Sequence, residues 1–257
     1  MDFSILEQYN FTELKNIARK MNIIHTNSKQ GTLDIIKKAL LEYELYKNDI
    51  ESKYIIGKQL GEPGKDGTTY LVTNKEGIEY AMKTFKKQKS SDLIRKEATL
   101  QQQAADCGVA PNVIEVDTIS KFIVMDKLDK NLIDVMKKQN GNLTPQQQQQ
   151  IVRIFQKLDT ALVFQGDSNP INYMLKGKKI YLIDYGFAKE INSKLIKKLK
   201  TDTPNIKIML LGFILKLKEL NCPSTSYDFL ITFLSEDDIE MYNIKNNGVG
   251  ITTGNLT

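Results

Sequence analysis

The sequence predicts an α+β fold with a helical start, a block of antiparallel strands holding one helix, and a mainly helical remainder. Three observations predict it. Apolar residues fall at helical spacing between positions 14 and 43, the stretch 54–85 is β-branched, aromatic and broken by turn residues, and helical periodicity returns after Leu132. Hydrophobic residues make up 41% and charged residues 26% of the 257, which suits a globular chain with a sizeable core.

Each element follows from local pattern. In "FTELKNIARKMNI", Leu14, Ile17, Ala18 and Met21 share one helical face. After the polar break "HTNSKQGT", Leu33, Ile36, Leu40 and Tyr43 repeat that face in a second helix. "YIIGKQLG", "TTYLVTN" and "IEYAMKTF" read as three antiparallel strands, the last two joined through the turn "NKEG". A polar helix is expected from about Ser91 to Ala105, then a strand at "FIVMDKL". "LTPQQQQQIVRIFQKLDTALVF" is a helix with Thr144 as cap and Pro145 at the first position. The glutamine run 146–150 is its solvated start, and Ile151, Ile154, Phe155 and Leu158 form its apolar face. "KKIYLIDYG" is another strand, "IMLLGFIL" (208–215) a helix buried on most sides, and 241–257 a loose tail. The expected division is a helical module over 1–50 and a larger domain over 51–257, itself split near 126.

Several function classes are excluded at this stage. His25 is the only histidine, which removes histidine-based triads and His-rich metal sites from nearly the whole chain. Cys107 and Cys222 stand in no metal-ligand spacing and give no disulfide framework, so a reducing compartment is expected. No apolar run is long enough to span a bilayer, and "MDFSILEQYN" lacks the pattern of a signal peptide. The expectation is an intracellular protein with no membrane contact. A net charge of +5 is compatible with anionic ligands without diagnosing them.

Five features carry chemistry, and each alone has a bland alternative. Gly61, Gly64 and Gly67 in "LGEPGKDGTTYLV" let backbone amides approach phosphates, but a plain hairpin turn looks the same. Lys83 lies in the strand "YAMKTF", two residues after Ala81, and Glu97 follows fourteen residues later in a helix, where an ion pair would fix the lysine. Asp167 and Asn172 stand five apart in "GDSNPIN", and Asp184 opens Asp-Tyr-Gly. Their joint occurrence in this order over residues 54–190 resembles the protein-kinase superfamily, whose set is a glycine-rich loop, an A-x-K strand, a helix glutamate, D-x-x-x-x-N and D-F-G.

The resemblance implies a two-lobed kinase-like fold binding ATP and Mg²⁺ and acting on Ser or Thr of a protein substrate. It implies Lys83 on the α- and β-phosphates, Asp184 and Asn172 as metal ligands, and Asp167 as the group that accepts the proton of the attacking hydroxyl. It also implies Met125 at the gatekeeper position, Asp126 and Leu128 in the adenine hinge, and Ala81 and Met174 on either side of the ring. The chain departs from the family at Gln165 and Gly166, where His-Arg is usual, at Asn169, where Ser/Thr protein kinases carry Lys, and in having no Ala-Pro-Glu. Without that arginine, activation by loop phosphorylation is not expected. These departures are similar to compact atypical kinases, among them small kinases of large DNA viruses, tRNA-modification kinases and small-molecule phosphotransferases. A metabolite kinase is thus the rival enzyme reading, and a pseudokinase scaffold the third. The short stretch from Leu128 to the end leaves little room for a metabolite pocket, which favours a macromolecular substrate.

Residues 10–38 are similar to the SAP motif, a two-helix DNA-binding module. They hold Lys15, Arg19, Lys20, Lys29, Lys37 and Lys38 against Glu13 and Asp34. The resemblance implies weak DNA contact. The alternative is two helices that only pack on a neighbour, since 1–50 as a whole carries seven bases and seven acids. "KEINSKLIKKLK" reads as a solvated helix face.

Overall fold

The structure is a computed structural model describing residues 2–21 and 23–244, with side chains for all of these except 43–49. The chain forms two compact units, Met1–Gly57 with Val72–Ile78, and Lys58–Leu71 with Glu79–Thr257.

The first unit opens with helices α1 (Ser4–Gln8), α2 (Phe11–Lys20) and α3 (Lys29–Lys53). Asn10 and Glu13 close a capping box at the start of α2, each side chain bonding the other's backbone amide, and Ser28 caps α3. Leu14 and Ala18 of α2 bury against Leu33 and Ile36 of α3, with Ile17, Met21 and Leu40 at the margin, so the predicted faces meet. Tyr43 lies among the side chains outside the described residues. Helix α3 continues past residue 50 to Lys53 and passes directly into strand β1 (Tyr54–Gln59). Four of the six bases of 10–38 are engaged locally, Lys37 with Glu7 at 2.6 Å, Lys38 with Glu42 at 4.0 Å, Arg19 with Asn16 Oδ1 at 3.4 Å and Lys15 over the Phe11 ring at 4.0 Å.

Strand β1 is followed by β2 (Gly67–Asn74), β3 (Glu79–Phe85), helix α4 (Ser91–Asp106), β4 (Val113–Asp117) and β5 (Phe122–Asp126). The five strands make one sheet in the order β1-β2-β3-β5-β4, and the β3·β5 and β4·β5 pairs are antiparallel. The expected strands and the one helix among them are all present. Strand β4, "VIEVD", is an addition that the sequence reading passed over. Within the second unit Ala81, Phe85, Ile123 and Met125 of this sheet bury with Ile94 and Ala98 of α4.

The remainder is chiefly helical: α5 (Leu132–Lys138), α6 (Pro145–Thr160), α7 (Ser193–Leu199), α8 (Leu210–Glu219), α9 (Asp228–Ile231) and α10 (Glu236–Met241). Short strands β6 (Lys130–Asn131), β8 (Tyr173–Lys176) and β9 (Lys179–Leu182) form a small sheet, and β7 (Val163–Phe164) pairs antiparallel with β10 (Lys189–Glu190). Thr144 caps α6 as expected, in a reciprocal capping box with Gln147 and with Pro145 at its first position. The apolar face of α6 packs into a core with Leu132, Tyr173, Leu182, Leu210 and Phe213. "IMLLGFIL" enters this core as a π turn, Asn205–Met209, running into α8. The tail begins later than 241, because Ile244 is fully buried in the same core; residues 245–257 lie outside the described residues. Among the described residues no helix is long and apolar enough to cross a membrane.

Candidate active site

Every contact described next lies within the second unit. Strand β3 brings Lys83 to the sheet surface and α4 brings Glu97 to meet it, with Lys83 Nζ 2.7 Å from Glu97 Oε1. The same ammonium lies 2.9 Å from Asp184 Oδ1, just beyond the end of β9. Glu97 is 3% exposed, so the bland reading of a solvated helical glutamate does not hold. Burial works to lower the Lys83 pKa, but the two carboxylates outweigh it and hold the group above its ordinary value. Burial would likewise raise the Asp184 carboxyl, and the Lys83 charge and hydrogen bond, the Gly186 amide and the Lys89 charge together bring it below the ordinary carboxylate value. Asp184 itself sits in the left-handed region at φ 60°, a conformation Asp tolerates better than most residues.

A second lysine, unremarked in the sequence, completes this charge cluster. Lys89 Nζ reaches Glu97 Oε2 at 2.6 Å and Asp66 Oδ2 at 2.9 Å. The Glu97 carboxylate is therefore clasped from both sides, and the Phe85 ring faces both ammonium groups, 5.3 Å from Lys83 and 4.6 Å from Lys89. Asp66 belongs to the glycine turn, so Lys89 ties that turn to α4. Gly67 ends the turn where nothing larger fits, since a Cβ there would stand 1.9 Å from the Thr84 carbonyl oxygen. Gly64 N donates to Gly67 O at 2.8 Å, closing the turn, while Gly61 and Gly64 remain exposed.

The loop carrying Asp167 is shaped by its own polar side chains. Asn169 N donates to Asp167 Oδ1 at 3.0 Å, and Asn172 Nδ2 donates to Oδ2 at 2.8 Å. Asn169 Oδ1 accepts from Ile171 N and starts a single 3₁₀ turn, Pro170–Asn172, with Pro170 fixing its first φ. Thus the pair Asp167 and Asn172, five apart in sequence, is in direct contact. Below it Tyr173 anchors the loop, buried between Phe155 and Phe213 at ring centroid distances of 6.3 and 4.9 Å.

Gln165 joins this loop to Asp184. Its Oε1 accepts from Asp167 N at 2.7 Å, and its Nε2 donates to Asp184 O at 2.9 Å. The fully buried Gln165 is held in turn by Asn205, whose Oδ1 accepts Gln165 N at 3.2 Å. Asn205 Nδ2 donates to Asp159 Oδ1 at 2.7 Å and to Val163 O at 2.8 Å. Burial raises the Asp159 carboxyl despite the amide donors of Asn205 and Ile206. Gly166 has φ 84°, and a Cβ there would lie 2.9 Å from Phe187 O, so an arginine cannot occupy this position without moving that segment.

No protein-family model matches the chain, and no curated protein matches it.

The adenine-site residues implied by the resemblance are partly brought together. Ala81 and Met125 are paired neighbours on β3 and β5, both buried, and Leu128 is buried just beyond. Asp126 is turned to Asn112, whose Nδ2 donates to Asp126 Oδ2 at 2.7 Å. Met174 lies on β8 opposite Asn131 and Tyr181, and no described contact joins it to Ala81. Asp66, Lys89, Asn205 and Asp159 were missed by the sequence reading, and Gln165 was noted only as a departure, not as a link within the site. Only Gln165 left a signal, as an amide where the family has an imidazole.

Mg²⁺ prefers hard oxygen donors and keeps waters and phosphate oxygens in its shell, so it needs few protein ligands. Asp184 and Asn172 fit that demand. Asp184 Oδ1 is taken by Lys83 and Gly186 N while Oδ2 has no described partner, and Asn172 spends its Nδ2 on Asp167, leaving Oδ1 uncommitted. Among the described residues no group of three or more His, Cys, Asp or Glu is placed to hold a metal unaided.

Proposed function

We propose that the chain is an ATP- and Mg²⁺-dependent phosphotransferase of two-lobed, kinase-like build, transferring the γ-phosphate to a Ser or Thr hydroxyl of a protein. The observation that carries this reading is the Lys83 ammonium held between Glu97 and Asp184, at 2.7 and 2.9 Å. An ammonium has three donors, and two are engaged, so the third is left for a phosphate oxygen. Lys83 and Lys89 face Asp66, Glu97 and Asp184, two positive charges against three negative, a deficit that favours a bound cation. Bound Mg-ATP supplies the phosphoryl group and the charge that screens it.

The work left to the protein is placement. Lys83 orients phosphate oxygens through its free donor. Asp167, its carboxylate fixed by Asn169 and Asn172, accepts the proton of the attacking hydroxyl at a remaining lone pair. Gln165 keeps the distance between that carboxylate and Asp184 constant through uncharged hydrogen bonds. The N-terminal helices, by their likeness to the SAP motif, are proposed to add a weak DNA contact through Arg19, Lys20, Lys29 and Lys38.

The test is transfer of label from γ-labelled ATP, with and without Mg²⁺, to acidic, neutral and basic protein acceptors beside a panel of hydroxylated metabolites. The expected result is Mg²⁺-dependent phosphoserine or phosphothreonine in a protein acceptor. Label confined to a metabolite would replace the acceptor class, and no transfer to any acceptor would overturn the reading.

A further inference from the structure

We propose that the lysine-rich segment 189–207 is the docking surface for an acidic stretch of the substrate polypeptide, close to the hydroxyl that is phosphorylated. The inference deepens the phosphotransferase reading and rests on it for the role of Asp167.

The segment holds Lys189, Lys194, Lys197, Lys198, Lys200 and Lys207 against only Glu190 and Asp202. Its net charge of +4 is most of the +5 carried by the entire chain. All six lysines are exposed, and among the described residues none of them makes an ion pair. A merely solvated helix face mixes its charges or places them to suit the helix. Helix α7 does not mix its charges, and although Lys197 and Lys198 suit its last turn, its other lysine does not suit the first. Lys194 sits in its first turn, against the macrodipole, and Lys194 and Lys198 are like charges four apart.

The segment is also fastened beside the site at both ends. At its start Lys189 and Glu190 pair with Phe164 and Val163, and Ile191 N donates to Leu162 O at 2.7 Å. At its far end Asn205 binds Val163 O and Gln165 N. Both attachments fall on residues 162–165, which run straight into Asp167. In between, Ile191, Leu195, Thr201 and Pro204 are buried and hold the bow down, so its lysines point to solvent from a fixed base. Lys189 lies opposite Phe164, three residues before Asp167, and the seven-residue α7 that follows is about 10 Å long at 1.5 Å per residue. An extended peptide covers about 3.3 Å per residue, so acids three to five residues from the acceptor reach about 10–17 Å from it along such a surface.

Duplex DNA offers the same sign of charge, but the geometry favours a peptide. The surface adjoins the group that receives the acceptor hydroxyl, so its occupant is the chain that bears that hydroxyl. Phe187, 57% exposed, stands in sequence between Asp184 and the lysines and offers an apolar contact that a phosphate backbone does not use.

The test measures binding apart from chemistry. Fluorescence anisotropy would follow a peptide with Ala at the acceptor and Asp or Glu three to five residues away, beside its charge-reversed counterpart. The acidic peptide is expected to bind full-length protein, more weakly as salt rises, and the reversed peptide not to bind. The triple variant Lys194→Ala, Lys197→Ala, Lys198→Ala should weaken binding about tenfold, the sum of three exposed charge contacts. The control triple Lys75→Ala, Lys137→Ala, Lys138→Ala removes equal charge at exposed positions elsewhere and should leave it unchanged. Equal binding of both peptides, or equal loss in both triples, overturns the proposal. Duplex DNA that binds through the first triple's lysines and outcompetes the peptide also overturns it, in favour of a nucleic-acid surface. Peptide binding with the stated dependence, together with no label transfer to the Ser version or to any other acceptor, would uphold the surface while removing the phosphotransferase reading.

Discussion

Replacing Asp167 with alanine is expected to lower the proposed phosphoryl transfer by about 10²-fold or more while leaving the Mg-ATP-induced rise in melting temperature nearly intact, the scale expected for loss of a positioned base. The split arises from where Asp167 sits. Its carboxylate contacts Asn169 N and Asn172 Nδ2 and has no described contact with Lys83, Glu97 or the glycine turn. Nucleotide binding therefore keeps its principal charges, and the loss falls on turnover. Single-turnover rates and thermal melts of the variant and wild type decide the matter; matching rates would remove Asp167 from its role.

Replacing Asp184 with asparagine is expected to abolish most of the Mg-ATP stabilisation itself. A ligand at a hundred times its Kd stabilises the folded state by about 2.7 kcal/mol, which for a chain of this size shifts the midpoint by roughly 5–10 °C. The variant should retain less than a quarter of that shift, because it loses both the carboxylate proposed to hold the metal and the charge facing Lys83. The pH dependence has a definite sign. Asp184 is depressed, so its contribution is present above the ordinary carboxylate value of 3.8 and is lost as pH falls through the lower folded value. Lys83 is raised, so its contribution is present below 10.5 and is lost as pH rises through the higher folded value. Between about pH 5 and 9 neither group changes charge, and the Mg-ATP shift of the wild type should be flat there. An unaltered shift in Asp184→Asn would sink the metal assignment.

The parts of this site legible in the sequence were those built on local rules. Thr144, Pro145 and Gln147 announce a helix start because the capping bonds span only three residues. Lys83 and Glu97, fourteen apart, fit a strand followed by a helix, and the two residues do meet. Asp167, Asn169 and Asn172 interact within five residues, and the turn chemistry of Asp, Asn and Pro gives their loop away. What escaped depends on partners far apart with no period to betray them. Lys89 lies in "KKQKS", which reads as a solvated turn, yet it is 7% exposed in its side chain and clasps two carboxylates. Asn205 meets Asp159 and Gln165 across more than forty and exactly forty residues of chain respectively. The two-residue strands β6, β7 and β10 are too short for any alternation to register, and only the fold creates them.

The bow at 191–205 bears on how such a protein would be controlled. Many enzymes keep the segment after the metal-binding aspartate loose until a covalent mark or a partner orders it. Here both ends are already tied down by Ile191 N to Leu162 O and by Asn205 to Asp159, Val163 and Gln165, and Gly166 leaves no arginine to read a mark. The amides of Ile191 and Asn205 should then exchange with deuterium as slowly without nucleotide as with it; rapid exchange that nucleotide or phosphorylation suppresses would contradict this. A phosphotransferase of the proposed kind, assembled in one state from the moment it folds, would have no resting form to return to. Its output would be governed by how much of it is made and how long each copy survives.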